Sequence, residues 1–154
     1  MRLSEFEYGS NPRASDISKL SWDVEEVDRV RGGKHIEITV SDRGDKVIIG
    51  EFITVVKKNL NYCVVDWIRW VQDDGWDLPK GVRSKWAGTG LGQMVYDKAI
   101  AIAKKEGCQY FASDIIMSAA ARKAWQRLAQ RYPVERGTGL LRKYEFVIPL
   151  EEIR

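Results

Sequence analysis

Cysteine, histidine and proline are scarce in this sequence, and each scarcity closes off a class of protein. Two cysteines in 154 residues, Cys63 and Cys108, are too few for a disulfide framework. With no CxxC pair and one histidine, His35, the chain offers no ordinary zinc donor set, and no metal is expected. A reducing cytoplasm is the expected compartment. No stretch approaches the roughly 18 apolar residues of a membrane span, so no membrane partner is expected. The opening Met1-Arg2-Leu3-Ser4-Glu5-Phe6-Glu7 carries acids where a secretory signal has its apolar run. There are only four prolines, no internal repeat and no low-complexity tract, hence no linker to read. One domain over residues 1–154 is expected, with 1–34 its poorly defined part.

What the chain does have is an ordinary globular balance, 44% apolar and 31% charged, over a length that can bury a sizeable core. The net charge of +3 is unevenly placed. Residues 1–76 hold 11 Lys/Arg against 14 Asp/Glu, whereas residues 77–154 hold 14 against 8. A basic second half suits an anionic partner: nucleic acid, the phosphates of a cofactor, or an acidic protein. No RRM, KH or helix-turn-helix signature accompanies it, so nucleic acid is not the expected partner.

Residues 17–30 show apolar positions without a clean period and read as a short helix or an irregular strand. The pattern sharpens at residues 35–40, His-Ile-Glu-Ile-Thr-Val, which alternate as a strand does. Residues 46–56 and 62–71 follow as two more strands across short turns, giving an antiparallel meander. The period then changes. Leu91, Val95, Ala99 and Ile102 fall on one face of a helix that Gly107 stops. Residues 109–115 read as a strand. Ser118 caps a second helix whose buried stripe is Ala121, Ala124, Trp125, Leu128 and Tyr132. Residues 143–148 read as a last strand. The expected fold class is α/β of the α+β kind: a mixed, mostly antiparallel central sheet flanked by helices, in the order β-meander, helix, strand, helix, strand.

The segment Trp86-Ala87-Gly88-Thr89-Gly90-Leu91-Gly92-Gln93-Met94-Val95 sets three glycines at alternate positions before a helix. Residues without Cβ let the backbone turn sharply and approach a ligand closely. The N–H groups of the first helical turn then face that ligand with the positive end of the helix dipole behind them, which suits phosphate or pyrophosphate. It is not a P-loop, because Gln93-Met94 stands where Lys-Ser/Thr is needed. Nor is it a dinucleotide turn, because the spacing is one residue short and the preceding strands are joined by hairpins.

The segment Gly88 to Tyr96 resembles the acetyl-CoA-binding motif of the GNAT acetyltransferases, Q/R-x-x-G-x-G/A opening a helix. Val82-Arg83-Ser84-Lys85-Trp86 is similar to that family's approach to the motif. Residues 108–115, and then Ser118-Ala119-Ala120-Ala121-Arg122-Lys123-Ala124-Trp125-Gln126-Arg127-Leu128, resemble its next strand and helix. The resemblance covers roughly residues 35–148, and its specific part lies in 82–128. It implies that Gly88, Thr89, Gly90, Leu91, Gly92 and Gln93 bind the CoA pyrophosphate. The third strand, ending near Trp70, Val71 and Gln72, would run beside the pantetheine arm, with Val71 near the thioester. Ser118 would touch the cofactor where the family often has Asn. Basic residues among Arg122, Lys123, Arg127, Arg131, Arg136, Arg142 and Lys143 would meet the 3′-phosphate.

Three departures accompany the match. Ala87 stands where the motif begins with Gln or Arg. Trp125 stands where many members have a tyrosine acid, and an indole N–H is no acid near neutral pH. Residues 73–85 form an insertion. Candidates for the base are Asp66, Asp73 and Asp74, on or just after the strand nearest the thioester, with Glu51 behind them. Tyr132 and Tyr96 are candidates for the acid. His35, Cys63 and Cys108 are expected to be structural. The cluster Trp67, Trp70, Trp76 and Trp86 reads as core in part and as pocket or partner surface in part.

The resemblance implies an acyltransferase that moves an acetyl group from acetyl-CoA, its co-substrate, to a primary amine of a small molecule or a protein. It also leaves room for a homodimer through carboxy-terminal strands. The alternative, of a different class, is a catalytically inactive GNAT-fold subunit of a larger assembly, for instance a phage particle.

Overall fold

Ile36, Ile38 and Val40 alternate along one strand, and all three are buried while their neighbours are half-buried. That dry face is the seed of the fold. The computed structural model describes residues 17–30, 33–42, 46–57, 61–70, 86 and 89–153. Within them β1 (Ser21–Val30), β2 (Gly33–Asp42), β3 (Lys46–Lys57) and β4 (Asn61–Trp70) form an antiparallel meander. Helix α1 (Leu91–Lys105) then crosses to β5 (Tyr110–Ala112), which pairs parallel to β4. Helix α2 (Ala119–Leu128) and the edge strand β6 (Val147–Pro149), antiparallel to β5, complete a six-stranded sheet in sequential order. The expected class, mixed and mostly antiparallel, is the class observed, with one strand more in the meander.

Residues directly opposite one another share a face of a sheet. The row Val55, Cys63, Phe111 and Ile148 therefore crosses β3 to β6 on one side, and all four are buried. Tyr96, Ala99, Ile100 and Ala103 of α1, and Trp125 and Leu128 of α2, join them in the main core. Val64, Ala112 and Val147 face the other side, where Leu141 and Tyr144 cover them. Of the apolar stripes expected for the two helices, Leu91, Val95 and Ala99 on α1 and Trp125 and Leu128 on α2 are buried. Ile102, Ala121 and Ala124 are half-buried, as is Tyr132, which lies past the end of α2. The Lys34 ammonium bridges Glu106 at the end of α1 at 2.9 Å and so ties β2 to that helix. That hydrogen bond, foremost, raises the Lys34 pKa.

Three elements sharpen or correct the expectation, each for a physical reason. Residues 21–30 form the irregular strand, not the short helix, of the two expected alternatives, and the strand runs ten residues. Their period is broken because Val27 is an extra residue in a bulge: Glu26 pairs with Ile36 and Asp28 with His35. As the outermost strand, β1 is also exposed at most positions, which removes the usual apolar alternation. β5 stops at Ala112 rather than 115, because the Ser113 N–H donates to Phe146 O and the chain turns away, leaving Ile116 84% exposed. The last strand starts at Val147 rather than 143, because Tyr144 belongs to a loop: its N–H donates to Leu141 O and its carbonyl accepts from Gly137.

Gly137 is required by that loop. A Cβ there would sit 2.0 Å from Leu141 O and 2.4 Å from Tyr144 O, both backbone atoms that cannot rotate aside. Gly137→Ala is expected to destabilise the fold by about 2–3 kcal/mol. Urea unfolding of the two proteins would measure it, and an unchanged midpoint would refute the tight packing.

Candidate functional site

The glycine turn is built from the core outward. Trp86 is buried with Val40, Ile49, Leu91 and Val95, so this tryptophan is core rather than pocket. Val40 pairs with Ile49, and Ile49 with Trp70. The turn is thereby anchored beside the carboxy-terminal end of β4. Thr89 closes it: its N–H and its hydroxyl both donate to Trp86 O, and its Oγ1 accepts from Leu91 N at 3.4 Å. Gly90 follows with φ +91°, a left-handed conformation that L side chains rarely adopt. Met94 N to Gly90 O, at 3.1 Å, is the first helical bond. The N–H groups of Gly90, Gly92 and Gln93 have no acceptor among the described residues. Among the described residues, nothing lies within 4 Å of where Cβ atoms of Gly90 and Gly92 would project. Donors at a helix start with free approach can take an anion.

Among the described residues the neighbouring strand edge is open as well. β4 pairs with β5 only over Tyr62–Tyr110, Cys63–Phe111 and Val64–Ala112. Beyond Val64 the two strands part. On its other side, Phe52 pairs with Trp67 and Ile53 with Val65, which makes Asp66 the extra residue of a bulge. A bulge bends its strand and increases local twist, and bulges recur beside functional sites. β4 and β5 run parallel, so this parted end is also where β5 gives way to the loop leading to Ser118. The Ser118 hydroxyl accepts from Ala121 N at 3.1 Å and caps α2 as expected. The structure thus brings Thr89, Gly90, Leu91, Gly92, Gln93, Asp66 and Ser118 to one end of the sheet. Gly88, Val71 and Asp73, with Ala87, Gln72, Asp74 and Trp76, lie outside the described residues. So do the side chains of Asp66, Glu51, Trp67 and Trp70.

Gln93 is more than a backbone donor. Its Nε2 donates to Ala124 O at 3.1 Å, and its Oε1 accepts from Arg131 Nη2 at 2.7 Å. Arg131 Nη1 and the Tyr132 hydroxyl both donate to Asp97 Oδ1, at 2.8 and 2.7 Å. This clasp fixes the first turns of α1 against α2. Asp97 escaped the sequence reading. Its signal was the four-residue spacing from Gln93, which puts the two on one helix face.

Burial, then the bond to Asp97, raises the Tyr132 phenol above its ordinary range. Because the folded value exceeds the unfolded one, its stabilising contribution is complete below about pH 10 and lost as pH rises through the folded value. Ultraviolet titration is expected to show a late phenol component that loses one group in Tyr132→Phe. That variant should lose about 1 kcal/mol. A wild-type titration without a late component would contradict it.

Trp125, which stands where the family resemblance expects a tyrosine acid, is 1% exposed. Its ring stacks against Phe111 and Phe146 at 5.8 Å and meets Tyr96 edge-on at 6.0 Å. It is a core residue. Tyr96 is buried with it. Of the basic residues, Arg122 pairs with Glu145 and Arg131 with Asp97, while Lys123, Arg127, Arg136, Arg142 and Lys143 are exposed. His35 Nδ1 lies 2.8 Å from Thr54 Oγ1. Among the described residues no cluster of His, Cys, Asp and Glu is placed to hold a metal, and no helix is long and apolar enough to cross a membrane.

No family model and no curated protein sequence matches the chain. Among solved structures, it is similar to the ribosomal-protein-S18-alanine N-acetyltransferase from Escherichia coli. The overlap covers 78% of this chain and 68% of that one, with a TM-score of 0.43 and 16% identity. A likeness that loose carries no inference about activity, which has to rest on the chain's own geometry.

Proposed function

We propose that the chain is an acetyl-CoA-dependent N-acetyltransferase acting on a primary amine of a small molecule or a protein. One observation carries this reading: the bulged end of β4, unpaired with β5 beyond Val64 among the described residues, and the glycine turn before α1 meet at the same end of the sheet. A strand edge with unsatisfied N–H and C=O groups suits the amides of a pantetheine arm. The N–H groups of Gly90, Gly92 and Gln93 suit its pyrophosphate, with Gly88, Thr89 and Leu91 completing the turn. Val71 and Ser118 would flank the thioester and the arm. Exposed Lys123 and Arg127 add positive charge on α2.

The chemistry asked of the protein is mainly positioning. The amine nitrogen attacks the thioester carbonyl carbon, a C–N bond forms, and the C–S bond breaks. Asp66 at the bulge, or Asp73 beyond it, would take the ammonium proton. The departing thiolate would be protonated by water or by Tyr132, since Trp125 supplies no acid. The acidic first half of the chain would favour a cationic acceptor.

Calorimetric titration with acetyl-CoA, followed by thiol release with a panel of amines, tests the proposal. Saturable binding and steady turnover are expected, and absence of binding at high micromolar cofactor would overturn it. A second reading, a GNAT-fold binding or structural subunit without catalysis, is favoured by the burial of Trp125 and by the commitment of the Tyr132 hydroxyl to Asp97. It predicts binding without turnover, or neither.

A further inference from the structure

The two cysteines of the chain, 45 positions apart in sequence, face each other in the core with their Sγ atoms 2.9 Å apart. Both are thiols. Cys63 lies on β4, opposite Val55 and Phe111. Cys108 lies in the turn between α1 and β5, held there by its N–H, which donates to Ala103 O at 3.0 Å. A disulfide needs about 2.05 Å between sulfurs, so the pair is short of bonding distance by less than an ångström. Small side-chain rotations can supply that closure. Cys63 is fully buried and Cys108 is 6% exposed, which makes Cys108 the sulfur that a small reagent reaches first.

We propose that Cys63 and Cys108 form a peroxide-responsive dithiol site, which a hydroperoxide converts to an intrachain disulfide joining β4 to the α1–β5 turn. The steps balance. The Cys108 thiolate attacks one peroxide oxygen and the O–O bond breaks; with hydrogen peroxide, the released hydroxide takes up a proton as water. Cys108 is then a sulfenic acid. The Cys63 sulfur attacks the Cys108 sulfur, the S–O bond breaks, and a second water leaves with the Cys63 proton. Two electrons pass from the two sulfurs to the peroxide, and an external thiol reverses the change. The neighbouring resolving sulfur favours a disulfide over further oxidation.

The bond would have a defined mechanical consequence. Cys63 pairs with Phe111 in the short parallel contact from which β4 and β5 diverge. The disulfide therefore pins the vertex of the gap, and the closed loop contains the rest of β4, the glycine turn and all of α1. This inference does not depend on the acetyltransferase reading, because neither sulfur is assigned to the transfer chemistry.

The test uses the intact wild-type protein treated with hydrogen peroxide in increasing equivalents. Thiol titration should fall from two groups to none. Peptide mapping without reductant should join the Cys63 and Cys108 peptides within one chain. Loop closure of this length should raise Tm by roughly 10 °C, reversed by dithiothreitol. Cys108→Ala should abolish the cross-link and protect Cys63 from peroxide, but the wild-type measurements stand even if that variant folds poorly. Sulfinic or sulfonic acid at Cys108 without the cross-link would overturn the proposal. So would disulfides only between chains, or thiols inert to peroxide while the protein remains folded.

Discussion

Trp125→Ala is expected to cost about 3–5 kcal/mol, enough to lower Tm by roughly 10 °C or more. The indole is enclosed by Phe111, Phe146 and Tyr96 and belongs to the main core with Leu128 and Ile148. Its removal leaves a cavity between α2 and the sheet that neighbouring rings cannot close without leaving their stacked geometry. Trp125→Tyr is the more telling substitution. If this position were a lost acid site, tyrosine would restore turnover. In the structure the side chain is sealed from solvent, so a phenol there would bury a hydroxyl without an evident partner at a cost of about 1–3 kcal/mol. The expected result is lower stability and no gain in acetyl transfer. A rise in turnover with amine and acetyl-CoA would instead mean that this position reaches the reacting atoms.

The inward face of Trp125 is already legible in the sequence. The 3.6-residue spacing of Ala121, Ala124, Trp125 and Leu128 suffices to place the indole inward, because helix burial follows periodicity. The glycine turn was legible as a turn opening a helix, because alternate glycines stand directly before an amphipathic run, but the glycines alone fit a structural turn as well as an anion site. The bulges at Val27 and Asp66 were not legible. An extra residue in one strand is registered only against its partner, and neither position carries a residue type that marks it. The first bulge left residues 21–30 legible only as a short helix or an irregular strand. The second put Asp66 at the parting of β4 from β5, where the sequence offered only an acid on an alternating strand. The clasp of Gln93, Asp97, Arg131 and Tyr132 was half legible, since the i, i+4 pair on α1 is visible but its partners lie beyond the end of α2. Long-range polar pairing leaves no local signature, whereas burial does.

Two glycine substitutions separate the role of the turn in folding from its role in binding. Gly90→Ala forces a methyl-bearing residue to φ +91° and should destabilise the protein by about 1–2 kcal/mol. Gly92 lies in the first turn of α1 without a positive φ, and a Cβ there meets nothing within 4 Å. Gly92→Ala should therefore stabilise the helix by about 0.5 kcal/mol, because alanine loses less backbone freedom on folding. If the turn cradles the pyrophosphate, stability and affinity must diverge. The Gly92→Ala methyl stands in the approach to the N–H groups, so the more stable protein should bind acetyl-CoA at least about ten-fold more weakly, near 1.4 kcal/mol. Gly90→Ala should weaken binding by about a hundred-fold, since the amides of the turn are re-aimed as well as crowded. Calorimetry at a temperature where all three proteins are folded reads the affinities, and urea unfolding reads the stabilities. Wild-type affinity in Gly92→Ala would show that the open space above the turn belongs to no cofactor, and would leave Gly90 as a structural requirement of the helix start alone.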